Sequence, residues 1–421
     1  MKILHTVEFY DPSVGGAQEV VKQVSERLVG RGHEVTVATS SLEERQTNEI
    51  GGVRIEPFAV SGNEVRGLSG ETGRYQRFLL DGNFDVMMNY AAQQWATDLV
   101  FPLLGRLSYP AVLATCGFSG LFDPAYRDYF GLMTKVLKRY DGLIFHSDVY
   151  RDRAFARKQG VEGTLIPNGA SEREFAAGEE TGDRGSTFRK RHGIPEDVPM
   201  LLTVGGHSGM KGHELVLRAF ELASIGPTAL VIIGNRMGWR GCYVDCHLKA
   251  PRIRVLSLGR KQARLLDPPR QDVVDAYHAA DLFVFGSHIE CSPLVLFESM
   301  ASRTPFVTVA AGNAAEIVSW SGGGVVVPTE ERSDGTVTAE PRELAREIER
   351  LIGNERERSR LAEAGYAAWK ERFTWEKIAT QYERLYESLV SSRGVALSSE
   401  SSSRSAGAST SIRAPGKDEP S

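Results

Sequence analysis

Two glutamates eight residues apart carry the clearest chemistry of this 421-residue chain: Glu290 and Glu298. The residues between them are mostly apolar, which predicts a buried helix, with Ser292 as a favourable N-cap and Pro293 as first helical residue. The free N–H groups of a helix N-terminus form a ready site for phosphate. A carboxylate inside an apolar run needs a polar partner, and ligand hydroxyls would supply one. The segment therefore predicts binding of a ligand that carries both phosphate and hydroxyl groups.

A strand must hold this loop and helix in place. The apolar run Leu282 to Phe285 follows a turn and predicts a short buried strand. Ligands of open α/β sheets bind outside the carboxyl ends of such strands. Loops at other predicted strand ends are therefore further candidates for the site.

The loop from Gly205 to His213 combines glycines with a cation. Glycines let the backbone approach a ligand closely, and Lys211 can neutralise a phosphate. Gly205 and His207 are further candidates for ligand contact. A lone lysine in a glycine-rich loop is usually only solvated, so the functional interpretation depends on the neighbouring glutamate loop.

The first half of the chain offers weaker candidates. Gly15 and Gly16 follow the first predicted strand, Cys116 follows a later one, and His146 ends a third. A glycine pair often only turns the chain, and a single histidine at a strand end is more often structural. Gly15, Cys116 and His146 remain candidates for the side of the cleft that holds a second substrate, and Gly16 for contact with the phosphate-bearing ligand.

The pattern of elements predicts an α/β fold with two successive parallel sheets. Short apolar runs alternate with helical patterns, starting with a βαβ unit from Ile3 to Thr39, which implies right-handed crossovers. A polar, glycine-rich stretch from Phe175 to Gly185 separates the halves. The pattern restarts at Met200, and Ile253 to Leu258 is among the strands expected after it.

The loop with the two glutamates resembles the Glu-x7-Glu signature of retaining glycosyltransferases of family 4, which have the GT-B fold. The resemblance implies that Glu298 holds the nucleotide ribose and that Glu290 contacts the donor sugar. The segment between them would face the diphosphate, largely through backbone amides: Ser292, Pro293, Leu294 and Val295. The alternative is that Glu298 pairs with a core arginine such as Arg303 and that Glu290 is merely exposed.

The lysine loop resembles the Gly-Arg…Lys-Gly loop of the same family, whose two cations neutralise the diphosphate. Lys211 matches, whereas Gly206 stands where the arginine is expected, and His207 is the candidate to compensate. The pair Gly15-Gly16 resembles a Gly-Gly loop near the donor phosphate and the acceptor.

The family often carries a His-Gly pair where this chain has Cys116 and Gly117. The histidine lies near the reacting sugar in those proteins. The departure argues against a histidine-assisted step, unless the motif is displaced by a residue or more. A different acceptor contact is the other reading.

The resemblance also implies the domain organisation of two Rossmann-like domains that face a central cleft. Residues 1–172 would bind the acceptor and residues 173–372 the nucleotide-sugar donor, while residues 373–392 would form a helix that crosses back onto the N-terminal domain. Residues 393–421 are rich in serine, alanine and glycine. They predict a disordered tail, because they hold too little apolar surface to bury.

The implied reaction moves a hexose from a nucleotide-diphosphate sugar to an acceptor hydroxyl with retention of configuration. The leaving diphosphate needs preorganised donors, and Lys211 with the amides after Ser292 would supply them without a metal. The acceptor would be a glycan, a glycolipid or a small molecule, and no cofactor is expected. No side chain is assigned as a nucleophile. A GT-B nucleotide-sugar epimerase and a nucleotide-sugar-binding protein without transferase activity are the alternatives.

The amino-acid composition and net charge bear on which classes of binding partner the protein can have. The chain is 41% hydrophobic and 25% charged with a net charge of -4, which is ordinary for a globular protein and gives no electrostatic case for nucleic acid. No apolar run approaches bilayer length, and the first residues do not form a signal peptide. We expect a cytoplasmic protein. Peripheral membrane contact is a minor alternative, through the basic and apolar segment from Tyr126 to Tyr140.

The four cysteines do not form a disulfide framework in a chain of this length. Cys242, Cys246 and His247 lie close together in sequence and raise the question of a metal. A Cys-x3-Cys-His spacing without an evident second pair of ligands does not make a structural site. The sequence therefore predicts no metal, with these cysteines in a surface loop or in the core.

Overall fold

The computed structural model describes residues 1–175, 184–236 and 241–407, with side chains described as far as residue 393. Two parallel sheets, each covered by helices on both faces, dominate these residues. Their strands are apolar almost throughout, as sheets with two buried faces require.

The first sheet has eight strands in the order β10-β9-β8-β7-β1-β2-β4-β3. Only β3 runs antiparallel to its neighbour. A separate hairpin of β5 and β6 follows β4. The strands of this half are β1 Lys2–Thr6, β2 Glu34–Ser40, β3 Glu49–Ile50, β4 Val53–Phe58, β5 Val60–Asn63, β6 Gly67–Gly70, β7 Val86–Tyr90, β8 Ala111–Ala114, β9 Gly142–Phe145 and β10 Thr164–Leu165.

The second sheet has six parallel strands in the order β13-β12-β11-β14-β15-β16. Strands β17 and β18 form a short antiparallel hairpin outside it. The strands of this half are β11 Met200–Val204, β12 Thr228–Ile233, β13 Lys261–Leu266, β14 Leu282–Phe285, β15 Phe306–Thr308, β16 Gly324–Val326, β17 Glu330–Glu331 and β18 Val337–Thr338.

Helices connect the strands, as parallel pairing demands. Those of the first half are α1 Gly16–Gly30, α2 Thr72–Asp81, α3 Trp95–Asp98, α4 Arg127–Val136, α5 Arg151–Lys158 and α6 Glu172–Phe175. Those of the second half are α7 Arg184–Arg191, α8 His213–Leu222, α9 Tyr243–Leu256, α10 Arg270–Ala279, α11 Leu294–Ala301, α12 Ala314–Ser321, α13 Pro341–Ile352, α14 Glu355–Ala368 and α15 Trp375–Gly407.

The last helix, α15, returns to the first sheet and packs on α1. Its buried aromatic and aliphatic side chains join the core of that sheet. Polar contacts fix the register: the Arg31 guanidinium contacts Glu376 at 2.9 Å and Glu383 at 2.6 Å, and the Tyr386 hydroxyl lies 3.0 Å from Nε2 of the buried His5. The crossing helix belongs to the predicted fold and is confirmed.

The predicted strand from Ile253 to Leu258 is wrong. These residues lie in and just after α9, and the neighbouring strand is β13, from Lys261. Cys246, Ala250 and Ile253 are the buried side chains of α9. Their spacing of four and three residues is helical, and the apolar Val255 and Leu256 are exposed.

Some domain boundaries remain predictions. The stretch predicted as the linker, Phe175 to Gly185, lies largely outside the described residues. Backbone helix α15 continues to Gly407, past the limit of 392 predicted for the crossing helix. The rest of the predicted tail, from residue 408, also lies outside the described residues.

The segment from Tyr126 to Tyr140 turns most of its apolar side chains inward. Val136 and Leu137 are buried in the core of the first sheet, which leaves Leu132 exposed beside Lys135 and Lys138. This is the pattern of an ordinary domain helix. Among the described residues, no helix has the length and hydrophobicity to cross a membrane.

Candidate active site

The loops at the carboxyl ends of the two sheets face and contact each other. Asn168, at the end of the first half, donates from Nδ2 to the Ser292 carbonyl at 3.0 Å. Gly117 approaches the glutamate loop so closely that an added Cβ would lie 2.8 Å from the Cβ of Cys291. An added Cβ on Gly16 would lie 4.0 Å from Leu294. The predicted loops therefore lie together at one cleft.

Lys211 and Glu290 meet directly in the cleft. The lysine Nζ lies 2.7 Å from Oε1 of the glutamate, and the same oxygen accepts from the Ser287 hydroxyl at 2.8 Å. The Glu290 side chain is 13% exposed and that of Lys211 36%. An ion pair that is still open to solvent on the lysine side can exchange partners when an anionic ligand arrives.

A left-handed glycine lets the lysine loop reach the glutamate loop. Gly212 has φ 66°, and an added Cβ would fall 1.8 Å from the Gly286 carbonyl oxygen. No other residue fits there without moving backbone. The two loops that carry Lys211 and Glu290 are thus packed main chain against main chain.

Glu298 is buried and pairs with an arginine that sequence reasoning missed. Oε1 accepts from Nη2 of Arg270 at 2.5 Å, and the same guanidinium contacts Glu174 at 2.9 Å. The alternative partner Arg303 instead lies 3.5 Å from Glu363 and over the Tyr366 ring. Arg270 leaves the second carboxylate oxygen of Glu298 outside the ion pair.

A second carboxylate approaches this pair from the first half of the chain. Burial raises the pKa of Glu19 on α1, while the charge of Arg270 opposes that shift and the charge of Glu298 adds to it. Glu19 and Arg270 therefore lie within electrostatic range of each other. No signal in the sequence connects Arg270 to Glu298, because only the fold brings α10 beside α11.

Helix α11 begins one residue later than predicted. Leu294 is its first residue, Pro293 occupies the N-cap position, and Ser292 makes no capping hydrogen bond. The Ser292 hydroxyl is buried and has no hydrogen-bond partner. The extended Pro293 moves the serine out of capping position, so the first amides of the helix, at Leu294 and Val295, lack a side-chain cap.

His207 packs among buried polar side chains, and its contact with a donor stays a prediction. The residue is fully buried, and its Nδ1 lies 3.2 Å from Nδ1 of His213 and 3.5 Å from the Cys242 sulfur. Its backbone turns away to bond Asn235, where the N–H donates to the carbonyl at 3.0 Å.

His146 is buried at the end of its strand, and its role on the acceptor side stays a prediction. It is 1% exposed, and both ring nitrogens have partners: the Tyr90 hydroxyl at 3.1 Å and the Ile166 carbonyl at 2.8 Å. Burial lowers its pKa. Its two hydrogen bonds join β9 to neighbouring parts of the first sheet.

Cys116 lies at the cleft in a left-handed conformation with φ 55°. The carboxylate of Asp152 holds this loop by accepting from the Thr115 hydroxyl at 2.5 Å and from the Gly117 N–H at 2.9 Å. A hydrogen bond with Cys291 lowers the pKa of Cys116 and raises that of Cys291. A thiol pair thus stands where the related family often has a histidine.

Further polar contacts join the halves and were not predicted. Glu316 on α12 accepts from the Ser147 hydroxyl and from the Asp148 N–H. Asn313 donates from Nδ2 to the His146 carbonyl at 2.7 Å. Asn313 precedes α12 and Glu316 lies in its first turn, so the N-terminal end of that helix forms part of the contact between the two halves of the chain. Their spacing in sequence carries no recognisable signal.

Two Rossmann-like sheets that face one cleft, with a last helix returning to the first sheet, define the GT-B class of proteins. Residues 186–368 match the family model of glycosyl transferases group 1, and residues 14–173 match that of glycosyltransferase family 4. The chain belongs to this glycosyltransferase family.

A D-inositol 3-phosphate glycosyltransferase of Xylanimonas cellulosilytica is 30% identical over 196 residues, which are 46% of this chain and 43% of that protein. The chain spans about half the length of the first curated relatives it matches.

Two solved structures share the fold. Sucrose-phosphate synthase from Thermosynechococcus elongatus has a TM-score of 0.75 at 19% identity and covers 93% of this chain and 99% of its own. Anabaena HepE in complex with UDP-glucose has a TM-score of 0.72 at 17% identity, and the match covers 92% of this chain and 100% of HepE.

Proposed function

We propose that this protein transfers a hexose from a nucleotide-diphosphate sugar to an acceptor hydroxyl, with retention of anomeric configuration. The observation that carries the proposal is the contact between Lys211 and Glu290 beside the N-terminus of α11. A cation and a set of free amides there suit a diphosphate, and the carboxylate between them suits sugar hydroxyls.

The donor would lie along α11. Its diphosphate would contact the amides of Leu294 and Val295 and the Lys211 ammonium, and the unpartnered Ser292 hydroxyl adds one polar group. The ribose would bond the oxygen of Glu298 that Arg270 leaves outside the ion pair. The sugar would then point along Glu290 toward the N-terminal half.

Transfer breaks the bond between the anomeric carbon and the diphosphate oxygen, and that oxygen gains negative charge. Lys211 and the helix amides stabilise this charge without reorganisation. Such preorganised stabilisation is usually the largest single contribution to the rate of such a step. The acceptor hydroxyl forms the new bond on the same face and gives its proton to the leaving phosphate. No protein nucleophile and no catalytic metal are needed in this scheme.

The acceptor would enter from the N-terminal half, past Gly15, Gly16 and Cys116. The relatives named above carry a phosphorylated sugar or polyol in their names, D-inositol 3-phosphate and sucrose phosphate. Sugar and polyol phosphates therefore form the first acceptor panel for this chain. Lipid-linked glycans form the second.

A nucleotide-sugar-binding protein without transfer is the second candidate. Two departures from the family pattern favour it: glycine at Gly206, which removes one expected cation, and Cys116 in place of a histidine. This candidate predicts donor binding without turnover.

The test is a transfer assay with UDP-, GDP- and ADP-sugars against both acceptor panels, with no added divalent cation. Product mass would identify the transferred sugar, and NMR of the anomeric proton would show its configuration. A retained product supports the proposal. Donor binding with neither transfer nor hydrolysis would establish the binder instead, and an inverted product would remove the retaining mechanism.

A further inference from the structure

Four buried or half-buried side chains converge beside the cleft but take no part in the proposed reaction. They form what we name the histidine–cysteine cluster: His207, His213, Cys242 and Cys246. One ligand atom from each lies within 4.8 Å of all the others. The sequence offered only the two cysteines and lacked a second pair, and the fold supplies that pair from a different loop.

Neighbouring strands bring the two pairs together. The histidines bracket the loop after β11, and the cysteines flank the start of α9, after β12. Strands β11 and β12 pair in parallel, so the loops after them emerge at the same edge of the sheet. Cys242 and Cys246 are four residues apart on one face of the helical turn. His247 is exposed and bonds the Tyr243 carbonyl, so it lies outside the cluster.

Three separations within the cluster are close to the edges of a metal tetrahedron. The two histidine Nδ1 atoms lie 3.2 Å apart, and the Cys242 sulfur lies 3.5 Å from one and 3.8 Å from the other. Bond lengths of about 2.0 Å to nitrogen and about 2.3 Å to sulfur give tetrahedral edges of about 3.3 Å between two nitrogens and about 3.5 Å between a nitrogen and a sulfur. These three atoms thus fit around one tetrahedral centre, and the Cys246 sulfur lies within 4.8 Å of each of them.

The arrangement of the two imidazole rings also suits a cation. Nε2 of His207 and of His213 is buried without a protein partner. If each ring carries its proton there, both Nδ1 lone pairs point at each other. Facing lone pairs repel one another unless a positive charge lies between them.

We propose that the histidine–cysteine cluster binds one structural Zn²⁺ ion. Two thiolates and two neutral imidazoles are a frequent tetrahedral donor set for zinc and balance its charge. Four protein ligands fill the tetrahedron, so the ion has no open position for substrate. The site is therefore separate from the metal-free transfer chemistry and does not depend on it.

The position of the cluster indicates which segments of the chain a bound metal ion would hold together. His207 and His213 lie on either side of Lys211, so a bound ion would hold both ends of the loop that carries this lysine. It would also tie the first residues of α8 to those of α9. We expect zinc to stabilise the C-terminal half and to order the phosphate-binding loop.

The first test is the metal content of the full-length protein, purified without chelator and measured by inductively coupled plasma mass spectrometry. We expect about one zinc per chain. In the variant Cys242→Ser/Cys246→Ser, zinc should fall at least about tenfold, with a lower Tm. His247→Asn is the matched control, since it changes a histidine next to Cys246 outside the cluster and should retain the ion.

Cobalt substitution of the wild-type chain keeps the test independent of whether the variants fold. Exchange of the ion for Co²⁺ should give the intense visible bands of a tetrahedral site and a thiolate charge-transfer band. Zinc-free protein that also fails to bind Co²⁺ would overturn the proposal. So would unchanged zinc in the double cysteine variant, or a disulfide between Cys242 and Cys246 in the purified protein.

Discussion

The two sides of the cleft are built from different chemistry. The C-terminal side presents charged groups, Lys211, Glu290, Glu298 and Arg270, held in ion pairs around α11. The N-terminal side presents mainly glycines, the Cys116 thiol and amide groups, with the buried Glu19 carboxylate near Arg270. A diphosphate and a ribose need charged and hydrogen-bonding partners in fixed positions, whereas an acceptor hydroxyl needs space and orientation. The difference predicts that single substitutions on the C-terminal side strongly reduce donor binding or turnover, whereas those on the N-terminal side do not.

The largest effect is expected for Lys211→Ala. The substitution removes the ammonium that we place at the leaving diphosphate, and loss of one preorganised donor costs about 100-fold in turnover, or about 2.7 kcal/mol. The measurement is kcat for donor consumption. Lys249→Ala is the matched control, because this exposed lysine pairs with Glu214 away from the cleft. Equal turnover in both variants would break the assignment.

Glu298→Gln should have the next largest effect. It removes the charge that orients Arg270 and weakens a charge-assisted bond to the ribose, worth about 1.5–3 kcal/mol, so the donor KM should rise about tenfold or more. Glu363→Gln, which neutralises the exposed partner of Arg303, is the control for carboxylate loss. An unchanged KM with a lowered Tm would reduce Glu298 to a structural ion pair.

A pH experiment addresses the N-terminal side alone. Burial raises the pKa of Asp98 to about 7, where its oxygens accept from the Tyr129 hydroxyl at 2.8 Å and the Glu64 N–H at 3.0 Å. In the unfolded chain the pKa of this carboxyl is about 3.9. The native state therefore binds the proton more tightly, and the free energy of unfolding should fall as pH rises from about 4 to about 7.

Asp98→Asn keeps the shape of that side chain and removes its titration. The urea midpoint of the variant should fall less than that of wild type between about pH 5 and about pH 7. Parallel curves for the two proteins would show that Asp98 stays ionised in the fold. Donor affinity should be the same in both, since the residue lies outside the charged side of the cleft.

The smallest effect is expected for Cys116→Ala. The Cys116 thiol contacts Cys291, and we assign it no contact with the donor. The donor Kd should therefore change by less than about twofold, or about 0.4 kcal/mol. Transfer to an acceptor is the readout that this substitution can lower. A tenfold loss of donor affinity would move Cys116 to the donor side and weaken the contrast between the two sides.

Much of the fold follows from sequence because strands buried on both faces produce unmistakable apolar runs. Leu282 to Phe285 was predicted to the residue. The segment from Ile253 failed because its β-branched and apolar residues resemble a strand, although the buried Cys246, Ala250 and Ile253 have helical spacing. The helix start at Leu294 was missed by one residue, since cap geometry depends on the backbone at Pro293.

The site was predictable only where neighbours in sequence remain neighbours in space. Glu290 and Glu298 are joined by one loop and one helix, so their relation could be inferred. The approach of Lys211 to Glu290 was expected only through the resemblance to a family. Arg270 and the histidine–cysteine cluster depend on the order of strands in the second sheet, and a sequence read locally does not contain that order.

The most direct test of the donor-site account is nucleotide binding by wild type, Lys211→Ala and Lys249→Ala, followed as the shift in Tm with UDP, GDP and ADP and no added divalent cation. One nucleotide series should raise the Tm of wild type and of Lys249→Ala, with little or no rise for Lys211→Ala. No shift with any nucleotide, or an equal shift in all three proteins, would contradict the claim that the C-terminal side binds the donor through Lys211.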